Sequence, residues 1–123
     1  MAGQWQAVSV NLAEGFARAL DEFPEIERRK MFGFPCAFLN GHMFTGLHEQ
    51  NWIVRLAPGD RAQLLSEGGR PFAPMGRVMK EYVVVPTPIR DRTSNLRSWL
   101  EKSLAYVRTL PPKKPKITAR KRK

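Results

Sequence analysis

The residue types that most often carry chemistry are sparse in this sequence, and their spacing does not assemble a reactive centre. Cys36 is the one cysteine, so the chain can form neither an internal disulfide nor a cysteine-based zinc site. His42 and His48 fall on one predicted strand, which separates them by about 20 Å, too far to share a metal ion. We interpret Cys36 as a buried structural thiol beside Phe38 and both histidines as surface residues. The sequence therefore predicts no metal and no other cofactor.

Two further groups have residue types found in catalytic or phosphate-binding sites. The first is interpreted as a solvated charge cluster at a helix end and in the following loop: Asp21, Glu22, Glu25 and Glu27. The second, Gly68-Gly69-Arg70, lacks the spacing and the following lysine of a P-loop, so we interpret it as a helix stop and a turn. No serine lies in a nucleophile-elbow motif. We predict no catalytic residue.

The net charge of the chain is concentrated at its C-terminal end. The formal net charge is +10, and seven of the 21 basic residues follow Pro111 without an acid: Lys113, Lys114, Lys116, Arg120, Lys121, Arg122 and Lys123. The preceding part has 14 basic and 11 acidic side chains, a net charge of only +3. Seven positive charges on a flexible segment attract polyanions, so we predict weak, non-specific binding of nucleic acid by this tail. The competing interpretation is a solubilising terminus.

Length and composition favour one folded domain inside the cell. The 123 residues suit a single domain, which we place at residues 1–110, followed by a basic, disordered tail at residues 111–123. Hydrophobic residues make up 42% and charged residues 26%, the balance of a globular protein. The first ten residues do not resemble a signal peptide, and no apolar run approaches the roughly 20 residues that span a bilayer. We expect a cytoplasmic protein, monomeric or homodimeric, with no membrane partner.

The hydrophobic periodicity predicts the elements that position these residues. In order, it indicates a helix from Ser9 or Asn11 to Phe23, three strands within residues 31–56, a short helix at 60–67, a fourth strand at 78–85, and a long helix from Asp91 or Thr93 to 110. The dipeptides Asn40-Gly41 and Glu49-Gln50 are the turns between the first three strands. This order predicts an α+β fold. Its antiparallel sheet is a three-stranded meander plus a further strand, with the N-terminal and C-terminal helices on one face.

Pairing across the two turns assigns the faces of the sheet. The nearly apolar face is the predicted core face: Cys36, Phe38, Met43, Thr45, Leu47, Trp52, Val54 and Leu56. The other face is mixed: Ala37, Leu39, His42, Phe44, Gly46, His48, Ile53 and Arg55. Within it, His42, Phe44, His48 and Arg55 form a candidate ligand face. An exposed Phe44 among cations would stack nucleic-acid bases, whereas a covering helix would bury it.

An ordered set of short motifs also runs through the chain. The set comprises Arg29-Lys30-Met31-Phe32-Gly33, Asn40-Gly41-His42-Met43-Phe44-Thr45-Gly46, Trp52-Ile53-Val54-Arg55-Leu56, Pro71-Phe72, Gly76-Arg77-Val78-Met79, Tyr82, Val85-Pro86, Asp91, Leu96 and Trp99. Together these motifs resemble the N-terminal domain of the TfoX/Sxy family, whose founding members promote natural competence in bacteria. The resemblance implies an α+β fold similar to type III secretion chaperones, a regulatory role and no catalytic residue. Since 123 residues do not accommodate the second domain of longer members, we expect a stand-alone N-terminal-domain-like protein.

Three function hypotheses follow. In the first, the protein is a non-enzymatic regulatory or nucleoid-associated module whose domain binds a protein partner and whose tail binds nucleic acid. In the second, it binds a small molecule or peptide on the mixed sheet face. An unrecognised enzyme is the third and ranks last. The basic tail favours the first hypothesis, and the candidate ligand face favours the second.

Overall fold

The order of helices and strands was determined from a computed structural model, which describes residues 7–112. The helices are α1 (Val10–Leu20), α2 (Pro58–Ser66), α3 (Thr87–Arg90) and α4 (Thr93–Arg108). The strands are β1 (Glu27–Met31), β2 (Phe34–Leu39), β3 (His42–His48), β4 (Asn51–Arg55), β5 (Arg70–Pro71) and β6 (Tyr82–Val84).

The six strands form one antiparallel sheet in the order β1-β2-β3-β4-β6-β5. The main core lies between one face of this sheet and the helices, and it includes the buried side chains of Trp52, Leu100 and Leu104. The predicted α+β fold, with an antiparallel sheet and helices at both ends, is confirmed. The sheet contains two strands beyond the predicted four, β1 and β5. Among the helices of residues 7–112, none is long and apolar enough to cross a membrane.

Two helix ends match capping residues in the sequence, whereas α4, with Asp91 or Thr93 as predicted caps, begins after Arg92 without a side-chain cap. The hydroxyl of Ser9 accepts a hydrogen bond from the Leu12 amide at 3.1 Å, so Ser9 rather than Asn11 caps α1. The helix then ends at Leu20, earlier than predicted. Helix α2 ends just before Gly68, whose φ of +107° suits glycine, as the predicted helix stop requires.

The predicted strand at residues 78–85 is shorter in the structure. Only Tyr82–Val84 pair with β4. The Met79 amide donates a hydrogen bond to the Phe72 carbonyl at 2.8 Å and closes residues 72–79 into a loop. This loop lies against the outer face of the sheet, which is the face turned away from the helices.

The two predicted hairpin turns are confirmed. Asn40 and Gly41 have φ angles of 54° and 84°, as a two-residue turn of this type requires, and Leu39 pairs with His42. The second turn lies at residues 49–50, and it leaves His48 opposite Asn51 as predicted.

Strand β1 was not predicted, because its five residues are all exposed and show no apolar alternation. The acids of this region were assigned to a loop, yet Glu27 pairs with Phe38 of β2. The turn that joins the strands uses Phe32 and Gly33, with φ angles of 56° and 83°. A phenylalanine rarely adopts a positive φ, so the dipeptide gave no turn signal.

A β-bulge in the β2–β3 hairpin changes which side chains face the helices. Ala37 pairs with Thr45, but the next residue of β2, Phe38, pairs with Met43, which leaves Phe44 as the extra residue of β3. Phe44 is fully buried in the main core together with Ala37.

The predicted faces are therefore right for the residues that follow the bulge along the chain. They are wrong for the bulged residue and for residues before it. Leu47, Trp52, Val54 and Leu56 belong to the main core as predicted. The assignment of Cys36 and Met43 to that face was wrong, since both line a pocket of the outer face. The assignment of Phe44, Ala37 and Leu39 to the mixed face was also wrong, since all three lie in the main core.

Buried polar groups next to the bulge are hydrogen-bonded. The Ser103 hydroxyl of α4 lies 2.7 Å from the carbonyl oxygen of Phe44 and 2.6 Å from that of Arg55. The Thr45 hydroxyl donates to the Ile53 carbonyl at 2.7 Å and accepts from the Trp52 indole at 2.9 Å. These bonds fix the bulged strand against both its neighbour and the long helix.

Candidate functional site

A concave apolar surface, here called the hollow, lies on the outer face beside the β1–β2 turn. Its volume is about 360 Å³. It is lined by residues of three parts of the chain, the β1–β2 hairpin, the β3–β4 hairpin and the 72–79 loop: Met31, Phe32, Phe34, Cys36, Met43, Gly46, Leu47, His48, Ile53, Phe72, Pro74, Met75 and Met79. No lysine, arginine, aspartate or glutamate is in this lining, so the hollow suits apolar groups.

The floor of the hollow is a second, small core. Ile53, Phe72 and Val84 are buried together there. The His48 ring lies between two aromatic rings, with centroid distances of 5.0 Å to Phe34 and 5.4 Å to Phe72. The floor is thus already packed before any ligand binds, which reduces the entropic cost of forming the site.

The rim of the hollow exposes large apolar side chains to solvent. Phe32 is 69% exposed and Met75 is 71% exposed, and Met31, Val78 and Met79 are exposed as well. Five of the seven large exposed hydrophobic residues in the described part of the chain lie in or beside this one region. Methionine fills irregular gaps because its side chain is flexible and polarisable, so this rim can adapt to a binding partner.

The pKa shifts of the titratable groups of the hollow favour their neutral forms. Burial raises the pKa of the Cys36 thiol, and the charge of Arg29 offsets this only in part. Burial lowers the pKa of His48, and the charge of Glu49 offsets that in part. A protonated thiol is a poor nucleophile, so these groups suit an apolar binding surface better than covalent chemistry.

The four residues of the predicted ligand face are not brought together. His48 lines the hollow but is buried, so its interpretation as a surface residue was wrong. Phe44 is fully buried on the other side of the sheet. The His42 ring donates from Nε2 to the Pro111 carbonyl at 2.7 Å. Arg55 forms an ion pair with Glu81 at 2.6 Å. Of the two alternatives for Phe44, the structure shows burial: the core encloses the ring, so Phe44 forms no exposed stacking platform.

Arg55 has a structural environment of its own. Its guanidinium lies 5.8 Å from the centre of the Tyr82 ring and 6.0 Å from that of Tyr106. Burial alone would raise the pKa of Glu81, but the bond and charge of Arg55 outweigh it and the pKa is lowered. The ion pair joins β4 to the segment before β6, and Tyr106 of α4 lies beside it. The Arg55 side chain therefore already has partners within the protein.

Two further sequence predictions concern the basic tail and metal binding. The seven basic residues of the predicted tail lie outside the described residues. Within residues 7–112, no group of three or more histidine, cysteine, aspartate or glutamate side chains has the arrangement of a metal site.

A larger, polar groove of about 790 Å³ lies between α1 and α4. Its charged lining is balanced, with three basic and three acidic side chains: Arg18, Arg90, Arg97, Asp21, Glu22 and Asp91. Arg97 is paired with Glu22 at 2.5 Å, and Arg90 donates to the Gln50 carbonyl at 3.0 Å. Asp21 is paired with Arg28 as well, at 2.8 Å. Because most of these charged groups already have partners within the protein, the groove offers less to a ligand than the smaller hollow does.

Sequence reasoning missed the hollow as a site. The available signal was a group of large apolar residues in a stretch rich in proline and glycine, residues 71–79. The prediction of a regular strand at 78–85 concealed it. The other half of the lining became visible only with the bulge, which turns Cys36 and Met43 outward.

Comparison with known proteins identifies one family. The model described as the TfoX N-terminal domain matches residues 18–107. This match contains the whole sheet and all the residues that line the hollow. A search of curated proteins found none that matches the chain.

Proposed function

The chain belongs to the TfoX N-terminal domain family, and from that premise we propose that it is a non-catalytic regulatory module that binds a segment of a protein partner in the hollow. In this proposal the fold supplies a rigid sheet, and the outer face supplies the binding surface. The basic tail adds a second, electrostatic contact with nucleic acid.

The observation that carries the proposal is the exposed apolar rim. Large contiguous apolar patches on a protein surface commonly mark interaction sites, because leaving them in water is unfavourable. Here Phe32 and Met75 expose about seventy per cent of their surfaces beside a preformed, uncharged hollow. Apolar side chains of a partner would bury both the rim and the hollow at once.

The first test measures peptide binding. Peptides of about ten residues are selected from a displayed random library on the full chain, and their affinities are measured by fluorescence anisotropy. The double substitution Phe32→Ser with Met75→Ser is expected to weaken binding at least about tenfold, since a few central apolar contacts dominate such interfaces. Val10→Ser is the matched control, because Val10 is 70% exposed on α1, away from the hollow.

Two results would count against a partner segment in the hollow. Peptides whose affinity responds to Val10→Ser as strongly as to the double substitution would bind elsewhere. Saturable binding of small apolar compounds in the hollow, with no peptide selected, would support the small-molecule alternative instead.

The tail carries the second part of the proposal. Seven basic residues without an acid would contact phosphates regardless of sequence. If all seven made such contacts, a plot of log affinity against log salt concentration would have a slope of about −6 on duplex DNA. The folded part before the tail has a net charge of only +3, so it adds little to the salt dependence of DNA binding.

A salt series tests the tail directly. Binding of duplex DNA and single-stranded RNA is compared between the full chain and a chain that ends at Leu110. We expect steep salt dependence for the full chain and loss of binding for the shortened chain. If neither protein binds nucleic acid at low salt, the tail is a solubilising segment and the proposed nucleic-acid contact is wrong.

A further inference from the structure

We propose that the partner segment is an acidic, extended peptide that pairs with β1 as a seventh strand and places an apolar side chain in the hollow. This inference rests on the proposed function, because it specifies the chemistry and conformation of the segment that the hollow would bind.

The free edge of β1 provides the first argument. Within residues 7–112, β1 pairs only with β2, and all five of its residues are exposed. Met31 and Phe34 flank the two-residue turn and lie opposite each other. In a turn of this length these two residues exchange backbone hydrogen bonds with each other. By alternation, the N–H and C=O groups of Arg28 and Lys30 face the open edge, where an added strand would find them.

The opposite edge of the sheet is poorly suited to the same role. Strand β5 has only two residues, Arg70 and Pro71, and proline has no amide hydrogen to donate. Proteins often protect an edge by such shortness. The edge at β1 is more than twice as long and lacks proline, so it is the better template for an added strand.

The edge and the hollow are continuous. Met31 is the last residue of β1 and lines the hollow, and Phe32 in the following turn forms part of its rim. On the same face of β1, the guanidinium of Arg29 lies 4.6 Å from the centre of the Phe38 ring. A strand beside β1 would direct alternate side chains toward this face, so one apolar residue would lie at the hollow.

The positive charge around the edge and the hollow favours a partner segment with acidic residues. Residues 27–33 and 72–80, which border the edge and the hollow, contain five basic residues and one acid, a net charge of +4. The whole chain before the tail has a net charge of only +3, so the rest of it is slightly negative. Positive charge is therefore concentrated at this site, and an acidic segment is complementary to it.

The same charges disfavour a second copy of this chain as the occupant. Two β1 strands paired edge to edge would bring Arg28, Arg29 and Lys30 of each copy together. Like charges placed opposite one another destabilise a pair of strands. The net charge of +10 on each chain adds to this repulsion.

The test uses three matched libraries of displayed peptides, each about ten residues long. Alternate positions are acidic in the first library, basic in the second and Ser or Thr in the third, and the intervening positions are random apolar residues. We expect the full chain to select binders from the acidic library. Each selected peptide is then N-methylated at one position at a time, which removes a single backbone donor. Binding should fall at every second position, because only alternate amides of an added strand face β1.

Variants of Lys30 test the edge on the protein side. Lys30→Pro removes the outward amide hydrogen, whereas Lys30→Gln removes the charge and keeps that hydrogen. We expect the proline variant to bind at least about tenfold more weakly than the glutamine variant. Thermal unfolding is measured for both proteins, and the methylation pattern on the unchanged protein provides a test that does not depend on how the proline variant folds.

The outcomes separate this inference from the proposed function. If no library yields a peptide that responds to Phe32→Ser with Met75→Ser, the proposed function is wrong. If responsive peptides come from the basic or neutral library, or if methylation shows no alternation, the hollow binds a segment but this inference is wrong. A dimer in sedimentation that Lys30→Pro dissociates would identify a second copy as the occupant and would also overturn it.

Discussion

Replacing Phe44 with alanine is expected to lower the free energy of unfolding by about 3–5 kcal/mol. The ring is fully buried in the main core, and the carbonyl oxygen of the same residue lies 2.7 Å from the Ser103 hydroxyl. The substitution leaves a cavity at the bulge, where the backbone is held on both sides and has little freedom to close it. Equilibrium urea unfolding followed by tryptophan fluorescence measures the change.

Phe32→Ala is the matched control, because it removes the same atoms from a side chain that is 69% exposed. Its free energy of unfolding should stay within about 0.5 kcal/mol of the unchanged protein. The two variants should therefore separate stability from binding, since Phe32 belongs to the rim of the hollow. A loss below about 1 kcal/mol for Phe44→Ala would place that ring at the surface and restore the mixed face that simple strand pairing predicts.

Phe44 also shows how far the sequence determines this sheet. The two turn dipeptides predicted the pairings Leu39 with His42 and His48 with Asn51, and both are confirmed. Simple alternation between those fixed points fails, because one extra residue lies between them. The bulge is stabilised by Ser103, which is 59 residues away along the chain. A contact at that distance leaves no mark in the local pattern of apolar residues.

Strand β1 shows a second limit of prediction. Hydrophobic alternation identifies strands with one buried face, and β1 has none. Its position instead depends on its backbone pairing with β2. Exposed ion pairs surround it. Arg28 bonds to the carboxylate of Asp21 at 2.8 Å, and Arg29 bonds to Glu27 at the same distance. The predicted solvated charge cluster is thus partly a set of ion pairs that flank an edge strand.

The candidate site was predictable only in part. His48 was assigned to a ligand face and does line the hollow, but its role in binding stays a prediction. Most of the hollow requires the loop at residues 72–79 to fold across the sheet. That loop is closed by the hydrogen bond from the Met79 amide to the Phe72 carbonyl. Without regular structure there is no periodicity, so the local sequence shows the apolar residues of this loop but not how the loop folds across the sheet.

The second large effect is expected at Gly69, where alanine should cost about 1–3 kcal/mol of unfolding free energy. A Cβ atom there would lie 2.8 Å from Cγ1 of Val83 and 2.9 Å from the carbonyl oxygen of Leu64. Both neighbours are buried, and the Gly69 amide already donates to that same carbonyl at 2.9 Å. Neither the strand nor the helix can therefore move aside cheaply. Urea unfolding measures the loss. The slope of unfolding free energy against urea concentration should be the same for the variant and the unchanged protein.

Gly59→Ala provides the control with the opposite expected sign. Gly59 lies in α2, and a Cβ atom added there would meet no other atom within 4 Å. Alanine reduces the conformational entropy of the unfolded chain, so this variant should gain about 0.4–1 kcal/mol. Because Gly69 directly precedes β5 and the loop that forms one side of the hollow, its alanine variant should also weaken the selected peptides, whereas Gly59→Ala should not. Equal stability of the two variants would mean that Gly69 acts only as a turn residue and that β5 is not held by close packing against α2 and β6.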